Sequence, residues 1–160
     1  MSIQILSAYD QLAEIRELFS EYTDMLVEGD PSFQEYLNLQ HYDKELNHPF
    51  EKYGPPDGRL YLAKWNDDPA GCIALRRLDE ASCEMKRLFV RPTFRNRGIG
   101  SQLVQQILSD AREIGYRSML LDTLPFLDRA IQIYRSIGFQ EIPIYNNSPM
   151  SSAIYMRLDL

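Results

Sequence analysis

Arg95-Asn96-Arg97-Gly98-Ile99-Gly100, followed by Ser101, lies between a strand-like segment and a helix-like segment. The apolar run Met85–Val90 precedes it, and apolar residues recur at helical spacing from Leu103 to Leu108 after it. A strand, a glycine-bearing turn and a helix N-terminus together bind anions, because unpaired N–H groups and the positive end of the helix dipole face the ligand. Gly98 and Gly100 let the backbone approach a phosphate without an intervening Cβ. The sequence therefore predicts a diphosphate site in this segment, the 95–101 loop.

Two common phosphate-binding motifs do not match the 95–101 loop. The dinucleotide fingerprint Gly-x-Gly-x-x-Gly requires a third glycine where this chain has Leu103. The P-loop of NTPases requires Gly-Lys-Ser/Thr, whereas Gly100 is followed by Ser-Gln. The pattern that remains is Arg/Gln-x-x-Gly-x-Gly/Ala, in which Arg95, Gly98 and Gly100 occupy the specified positions.

A second segment, Ala130–Phe139, has the pattern Ala-x-x-x-Tyr-x-x-x-Gly-Phe. It follows the 95–101 loop in the chain, with the strand-like run Ser118–Thr123 between them. With these two motifs in this order, the sequence resembles the GNAT superfamily of acyl-CoA-dependent N-acetyltransferases. The resemblance extends well from Leu60 to Leu160, and it covers the first third of the chain in outline only.

The resemblance implies that acetyl-CoA is the cosubstrate and indicates which residues bind it. The diphosphate is expected on the backbone N–H groups of Arg95–Ser101, and the thioester carbonyl near the backbone of Phe89-Val90, where neighbouring strands splay apart in the family. Tyr134 is expected to protonate the departing CoA thiolate, and Glu84 to act as general base, directly or through water. Many relatives carry Asn where this chain has Leu127, so the contacts to the pantetheine arm are left open.

The residues themselves leave alternatives open for both catalytic candidates. Tyr134 lies on the apolar face of its predicted helix, which is also typical of a core position. Glu84 and Val90 are six residues apart on one predicted strand, so period-two alternation places them on the same face of the sheet. In the alternative reading, Glu84 pairs with Lys86 or Arg87, or faces solvent.

Length and composition indicate one soluble domain spanning residues 1–160. The N-terminus lacks the basic start and long apolar centre of a signal peptide, and no apolar run is long enough for a membrane span. A cytoplasmic location without a membrane partner is therefore expected. Cys72 and Cys83 are expected to be buried and reduced, and no Cys/His spacing indicates a metal site.

Charge is unevenly distributed along the chain, whose net charge is −6. The segment Asp24–Asp57 has eight acidic residues and two lysines, whereas Arg76–Arg97, around the 95–101 loop, has seven basic residues and three acidic ones. In one interpretation, both segments are solvated surface. In the other, the basic segment lies beside an anionic cofactor and the acidic segment lies beside a cationic substrate. The net acidic charge and the lack of interleaved aromatic and basic residues argue against a nucleic-acid partner.

The predicted elements begin with antiparallel strands and continue as strand, helix, strand, helix and strand. Predicted strands cover residues 3–5, 60–65, 70–77, 84–90, 117–122, 139–145 and 153–158, and predicted helices cover 12–29, 32–46, 98–114 and 126–137. This order predicts an α/β fold with a mixed, mostly antiparallel central sheet flanked by helices on both faces, in agreement with the GNAT resemblance.

The expected function is transfer of an acetyl group from acetyl-CoA to a primary amine by direct attack in a ternary complex. A small-molecule amine is the expected acceptor and a protein amine the alternative, with Tyr145–Met150 and Asp24–Asp57 expected to shape the acceptor pocket. Two other readings stay open, a non-catalytic acyl-CoA-binding sensor and a protein-interaction module on the same scaffold. The chain is expected to be a monomer or a homodimer, and the sequence does not name the amine.

Overall fold

A computed structural model describes residues 2–160 of the chain. The strands are β1 (Ile3–Ser7), β2 (Arg59–Trp65), β3 (Asp68–Arg77), β4 (Ser82–Val90), β5 (Ser118–Thr123), β6 (Gln140–Ile142) and β7 (Ile154–Asp159). The helices are α1 (Leu12–Gly29), α2 (Phe33–Leu39), α3 (Tyr42–Asn47), α4 (Pro49–Tyr53), α5 (Ile99–Ile114) and α6 (Asp128–Ile137).

The strands form one seven-stranded sheet in the order β1-β2-β3-β4-β5-β7-β6. Every neighbouring pair is antiparallel except β4 and β5, which run parallel. The predicted mixed, mostly antiparallel sheet is therefore confirmed. Within the described residues, β4 pairs with β5 from Ser82 to Glu84, and the rest of β4 continues without this partner. The sheet consequently opens beside the carboxyl-terminal half of β4.

Helices cover both faces of the sheet because strand residues alternate between the faces. On one face, the α1 face, Leu60 and Leu62 pack against Ile15 and Phe19 of α1. On the opposite face, the α5 face, the core is formed with α5 and the buried side of α6. Full burial of one Leu side chain stabilises the fold by about 1.5–3 kcal/mol, so the two clusters stabilise the packing of the sheet between its helix layers.

A β-bulge in β4 changes which side chains face each helix layer. Cys72 pairs with Phe89 and Ala74 pairs with Lys86, so two residues of β4 lie opposite one residue of β3. The bulge lies at Arg87, whose φ is 60°. One extra residue inverts the alternation of the strand.

The bulge overturns the expectation that Glu84 and Val90 share a face. Glu84 lies on the α1 face with its register partner Arg76, whereas Val90 packs against the core of the α5 face. Period-two counting fails here because it assumes an uninterrupted strand.

Two predicted elements are also shorter than expected. The helical stretch predicted at 32–46 consists of α2 and α3, which are separated at His41 with a φ of 55°. The strand predicted at 139–145 ends at Ile142, so residues 143–153 form an irregular segment before β7. Within residues 2–160, no helix combines the length and the apolar character needed to cross a membrane.

Candidate functional site

A cleft of about 640 Å³ lies beside the opening in the sheet. Its walls come from the carboxyl end of β4, the 95–101 loop, one side of α6 and the carboxyl-terminal half of α1. The sequence-predicted residues that line it are Phe89, Val90, Arg95, Asn96, Gly98, Ile99, Gly100 and Ser101. The structure thus brings together nearly all the residues expected to bind the cosubstrate.

The 95–101 loop presents a helix N-terminus to this cleft. Gly98 is the N-cap of α5 with a φ of 79°, and no side chain caps the helix. The first-turn N–H groups are therefore available to an anion, and the first turn contains no acidic residue that would repel one. A Cβ on Gly100 would lie 3.2 Å from the Ile133 side chain of α6, so α6 packs closely on this turn and leaves room only for a small residue here.

The two arginines of the loop have different surroundings. Arg95 lines the cleft, and its Nε donates a hydrogen bond to the Val90 carbonyl oxygen at 3.2 Å. Burial and the nearby Arg129 lower the pKa of Arg95, so an anion in the cleft would be favourable for it. The Arg97 guanidinium instead lies 4.5 Å from the centroid of the Trp65 ring, and Arg97 is not part of the cleft wall. The structure therefore separates Arg97 from the other predicted cosubstrate residues.

Tyr134 lies where the cleft meets a second cavity. Its ring belongs to the core and packs on Phe139, with ring centroids 5.7 Å apart. Within residues 2–160 its hydroxyl makes no hydrogen bond. Burial raises the pKa of Tyr134, and Tyr22 and Asp122 raise it further. Tyr134 is thus both a core residue and part of the wall of both cavities, and its hydroxyl is protonated.

The second cavity, the inner pocket, has a volume of about 30 Å³ and shares Tyr134 and Tyr22 with the cleft. It is lined by Phe33 and Tyr36 of α2 and by Met150 of the irregular segment. These residues come from the two segments that the sequence predicts to shape an acceptor pocket.

Asp122 supplies a carboxylate to the inner pocket. Its Oδ2 accepts hydrogen bonds from the Tyr36 hydroxyl and, at 2.9 Å, from Asn146 Nδ2. Burial and the adjacent Asp122 raise the pKa of Tyr36, which keeps its hydroxyl a donor. Sequence reasoning missed Asp122, although a carboxylate at the end of the strand before the tyrosine motif was a usable signal.

Glu84 lies outside both cavities. Its side chain is 2% exposed and is bound by Arg76 at 2.7 Å, with Lys86 at 3.9 Å and the Tyr145 hydroxyl donating at 2.5 Å. Burial acts to raise the pKa of Glu84, but Lys86 and Arg76 lower it more strongly, so the carboxylate is ionised and paired. Of the two cations named in the alternative reading, Lys86 is the more distant partner of Glu84 and Arg87 pairs with Glu45 instead, while the principal partner, Arg76, was not named there.

The acidic segment Asp24–Asp57 uses several of its charges inside the fold. Glu45 is bound by Arg87 at 2.7 Å and by Lys52 at 2.8 Å, and Asp57 is bound by Arg77 at 3.0 Å. Burial acts to raise the pKa of Glu45, but Arg87 and Lys52 hold it well below its usual value. The segment lines the inner pocket with aromatic and amide side chains, and the carboxylate there is Asp122.

Comparisons with known proteins agree with this geometry. The sequence model of the Acetyltransferase (GNAT) family matches residues 12–139. An uncharacterized N-acetyltransferase of Schizosaccharomyces pombe is 36% identical over 162 residues, which cover 100% of this chain and 95% of the relative. The closely similar fold of an acetyltransferase from Streptococcus agalactiae has a TM-score of 0.77 at 21% identity, covering 99% of this chain and 98% of that one.

A second solved structure was determined with a ligand. The PaiA N-acetyltransferase of Thermoplasma acidophilum, in complex with coenzyme A, has a TM-score of 0.75 at 20% identity, covering 100% of both chains. The two structures show the shared fold, while the family match and the yeast relative show descent. The chain belongs to the GNAT family and is an acetyl-CoA-dependent acetyltransferase.

Proposed function

We propose that the protein transfers the acetyl group of acetyl-CoA to a small primary amine by direct attack in a ternary complex. The observation that carries this proposal is the position of Tyr134, which lines both the cleft and the inner pocket. A thioester held in the cleft and an amine held in the inner pocket would meet at this side chain.

The cleft fits acetyl-CoA in its chemistry. The uncapped N-terminus of α5 and the Arg95 guanidinium suit a diphosphate, and the apolar wall that includes Phe126 and Ile133 suits a pantetheine arm. Leu127 lines the cleft where many relatives have Asn, and its N–H already donates to the Leu124 carbonyl oxygen, so the first-turn N–H of Asp128 is the donor that we assign to the arm. When bound, acetyl-CoA supplies the activated acetyl group.

The contrasting positions of Arg95 and Arg97 give a matched pair of variants. We expect Arg95→Gln to weaken CoA binding about tenfold, since one hydrogen bond to a charged group contributes about 1.5–3 kcal/mol. Arg97→Gln should change the affinity less than about twofold, because its side chain packs on Trp65 outside the cleft. Isothermal titration calorimetry with CoA measures both, and equal losses would contradict the assignment.

The transfer moves one proton at each of two atoms: the amine nitrogen loses a proton and the sulfur gains one. The amine nitrogen forms a bond to the acetyl carbon while the carbon–sulfur bond breaks, and the sulfur leaves with its electron pair. The Tyr134 hydroxyl donates its proton to that sulfur, giving CoA as the thiol, and the resulting tyrosinate regains a proton from water. The amine gives up its proton to water rather than directly to Glu84, because Glu84 is held by Arg76 outside both cavities.

In this proposal, the acceptor nitrogen binds to Asp122. Within residues 2–160, this carboxylate has no Lys or Arg nitrogen within 4.0 Å, so an ammonium or amine donor would satisfy it. Asp122→Asn should raise the KM for the amine about tenfold and change kcat less, since a charge-assisted hydrogen bond becomes a neutral one. Asp128→Asn is the matched control, because that carboxylate lines the cleft instead of the inner pocket.

A panel of amines screened for CoA release from acetyl-CoA tests the function as a whole. Turnover with at least one primary amine, weakened by Asp122→Asn, supports it. Acetyl-CoA binding by calorimetry without turnover for any amine would favour the sensor reading. Absence of acetyl-CoA binding would favour the protein-interaction reading.

A further inference from the structure

The buried charges around the inner pocket differ in how closely they are paired. Arg76 binds Glu84 and Arg87 binds Glu45, each at 2.7 Å. Among the described residues, Lys86, whose nearest carboxylate is Glu84 at 3.9 Å, and Asp122 have no opposite charge at hydrogen-bond distance, and both line the inner pocket.

Lys86 is a buried cation with incomplete compensation. Its side chain is 5% exposed, its Nζ donates to Gln40 Oε1 at 2.6 Å, and its nearest carboxylate is Glu84 at 3.9 Å. An ammonium has three donors, and one of them has an acceptor within hydrogen-bond distance among the described residues. Burial lowers the pKa of Lys86 even though Glu84 opposes that shift. A carboxylate in the pocket would reverse this effect and complete its hydrogen bonds.

Asp122 carries the opposite charge and contacts the same tyrosine as Lys86. Lys86 Nζ lies 5.9 Å from the centroid of the Tyr36 ring, while the hydroxyl of the same ring binds Asp122 Oδ2. The pocket therefore presents a cation and an anion that both lie against the Tyr36 side chain. A simple alkylamine would satisfy the anion and leave the cation unpaired.

We propose that the acceptor is an amino acid or a similar small molecule with an amine and a carboxylate, and this rests on the proposed function. Its amine faces Asp122 and Tyr134, and its carboxylate faces Lys86. The pocket now has room for about one water molecule. Entry of an acceptor therefore requires an outward movement of the irregular segment 143–153, which supplies Met150 to the pocket wall and Asn146 to Asp122. The acceptor amine then replaces the Asn146 amide as a donor to Asp122.

The test compares each amino acid with its amide, which keeps the amine and removes the negative charge. Glycine, β-alanine and 4-aminobutyrate, each beside its primary amide, cover a range of charge separations. We expect at least one amino acid to exceed its amide by about tenfold in kcat/KM, mainly through KM. Equal values for all three pairs would overturn the proposal.

Lys86→Met tests the residue itself with the amide as internal control. It should lower kcat/KM for the preferred amino acid about tenfold and change the value for its amide less than about twofold. Lys86→Arg keeps the positive charge and should retain the preference for the amino acid over its amide. This variant also provides a test if Lys86→Met folds poorly. Equal losses for acid and amide in a folded Lys86→Met protein, or loss of the preference in Lys86→Arg, would count against the role of Lys86.

Direct binding separates this inference from the proposed function. The same compounds are titrated calorimetrically into wild-type and Lys86→Met protein saturated with CoA. Selective binding of the amino acid, lost in the Lys86→Met protein, supports the acceptor class. If such binding occurs without turnover, the proposed transfer reaction is wrong and the proposed recognition of the acceptor is correct. Equal binding of acid and amide, or binding of neither, refutes the acceptor class.

Discussion

Tyr134→Phe should lower kcat on the order of a hundredfold, while acetyl-CoA affinity and thermal stability change little. Burial raises the pKa of Tyr134, so its hydroxyl stays protonated at neutral pH and serves as a donor. The same exclusion of water also disfavours a thiolate leaving in the cleft, so the departing sulfur needs that donor more than it would in water. General acids typically contribute about 10²–10⁴-fold, and the moderate basicity of a thiolate, with a pKa of about 8.5, places the expectation at the lower end.

Phenylalanine keeps the ring contact with Phe139, so the variant removes the hydroxyl alone. The measurement is kcat under conditions in which the chemical step limits turnover, with calorimetry and a thermal melt as controls for binding and folding. Tyr22→Phe is a matched variant, because Tyr22 also lines both cavities. If Tyr134→Phe retains near-full kcat, the residue is a core residue only.

Gly98→Val should weaken CoA binding by at least about a hundredfold, because the added side chain occupies the approach to the N-terminus of α5. A Cβ at Gly98 meets nothing within 4 Å, and the residue lines the cleft, so the branched side chain would project into space that a diphosphate needs. Losing two hydrogen bonds from N–H groups to a charged phosphate, at about 1.5–3 kcal/mol each, corresponds to at least that factor.

Backbone strain is the competing explanation, and Gly115→Val controls for it. Gly98 and Gly115 lie at opposite ends of α5, have φ values of 79° and 108°, and have open space around a Cβ. Both substitutions place a branched residue in the left-handed region, which costs about 1–2 kcal/mol or more. Calorimetry with CoA should therefore show a large loss for Gly98→Val and an unchanged affinity for Gly115→Val. Equal affinities would place the diphosphate elsewhere.

Local sequence was sufficient for the parts of this protein that depend on near neighbours in the chain. The turn into α5 was predictable because Gly98 adopts a φ of 79°, which few other residues tolerate, and because the helical repeat after it is regular. Helix α6 and its end at Gly138 were predictable for the same reasons. Most strands of the mixed sheet were predictable from their apolar runs and the turns between them, and the family resemblance supplied their arrangement.

Tertiary structure alone decided the face of Glu84 and the charge of the inner pocket. The bulge at Arg87 is stabilised by Glu45, which lies 42 residues away in the sequence, so period-two counting within β4 could not detect it. Asp122 meets Tyr36 across 86 residues and Asn146 across 24. Whether a carboxylate pairs with a structural cation, as Glu84 does, or remains available to a ligand, as Asp122 does, depends on which distant groups the fold brings within a few ångströms. Electrostatic interactions depend on the distance between groups in space, which cannot be read from their separation along the chain.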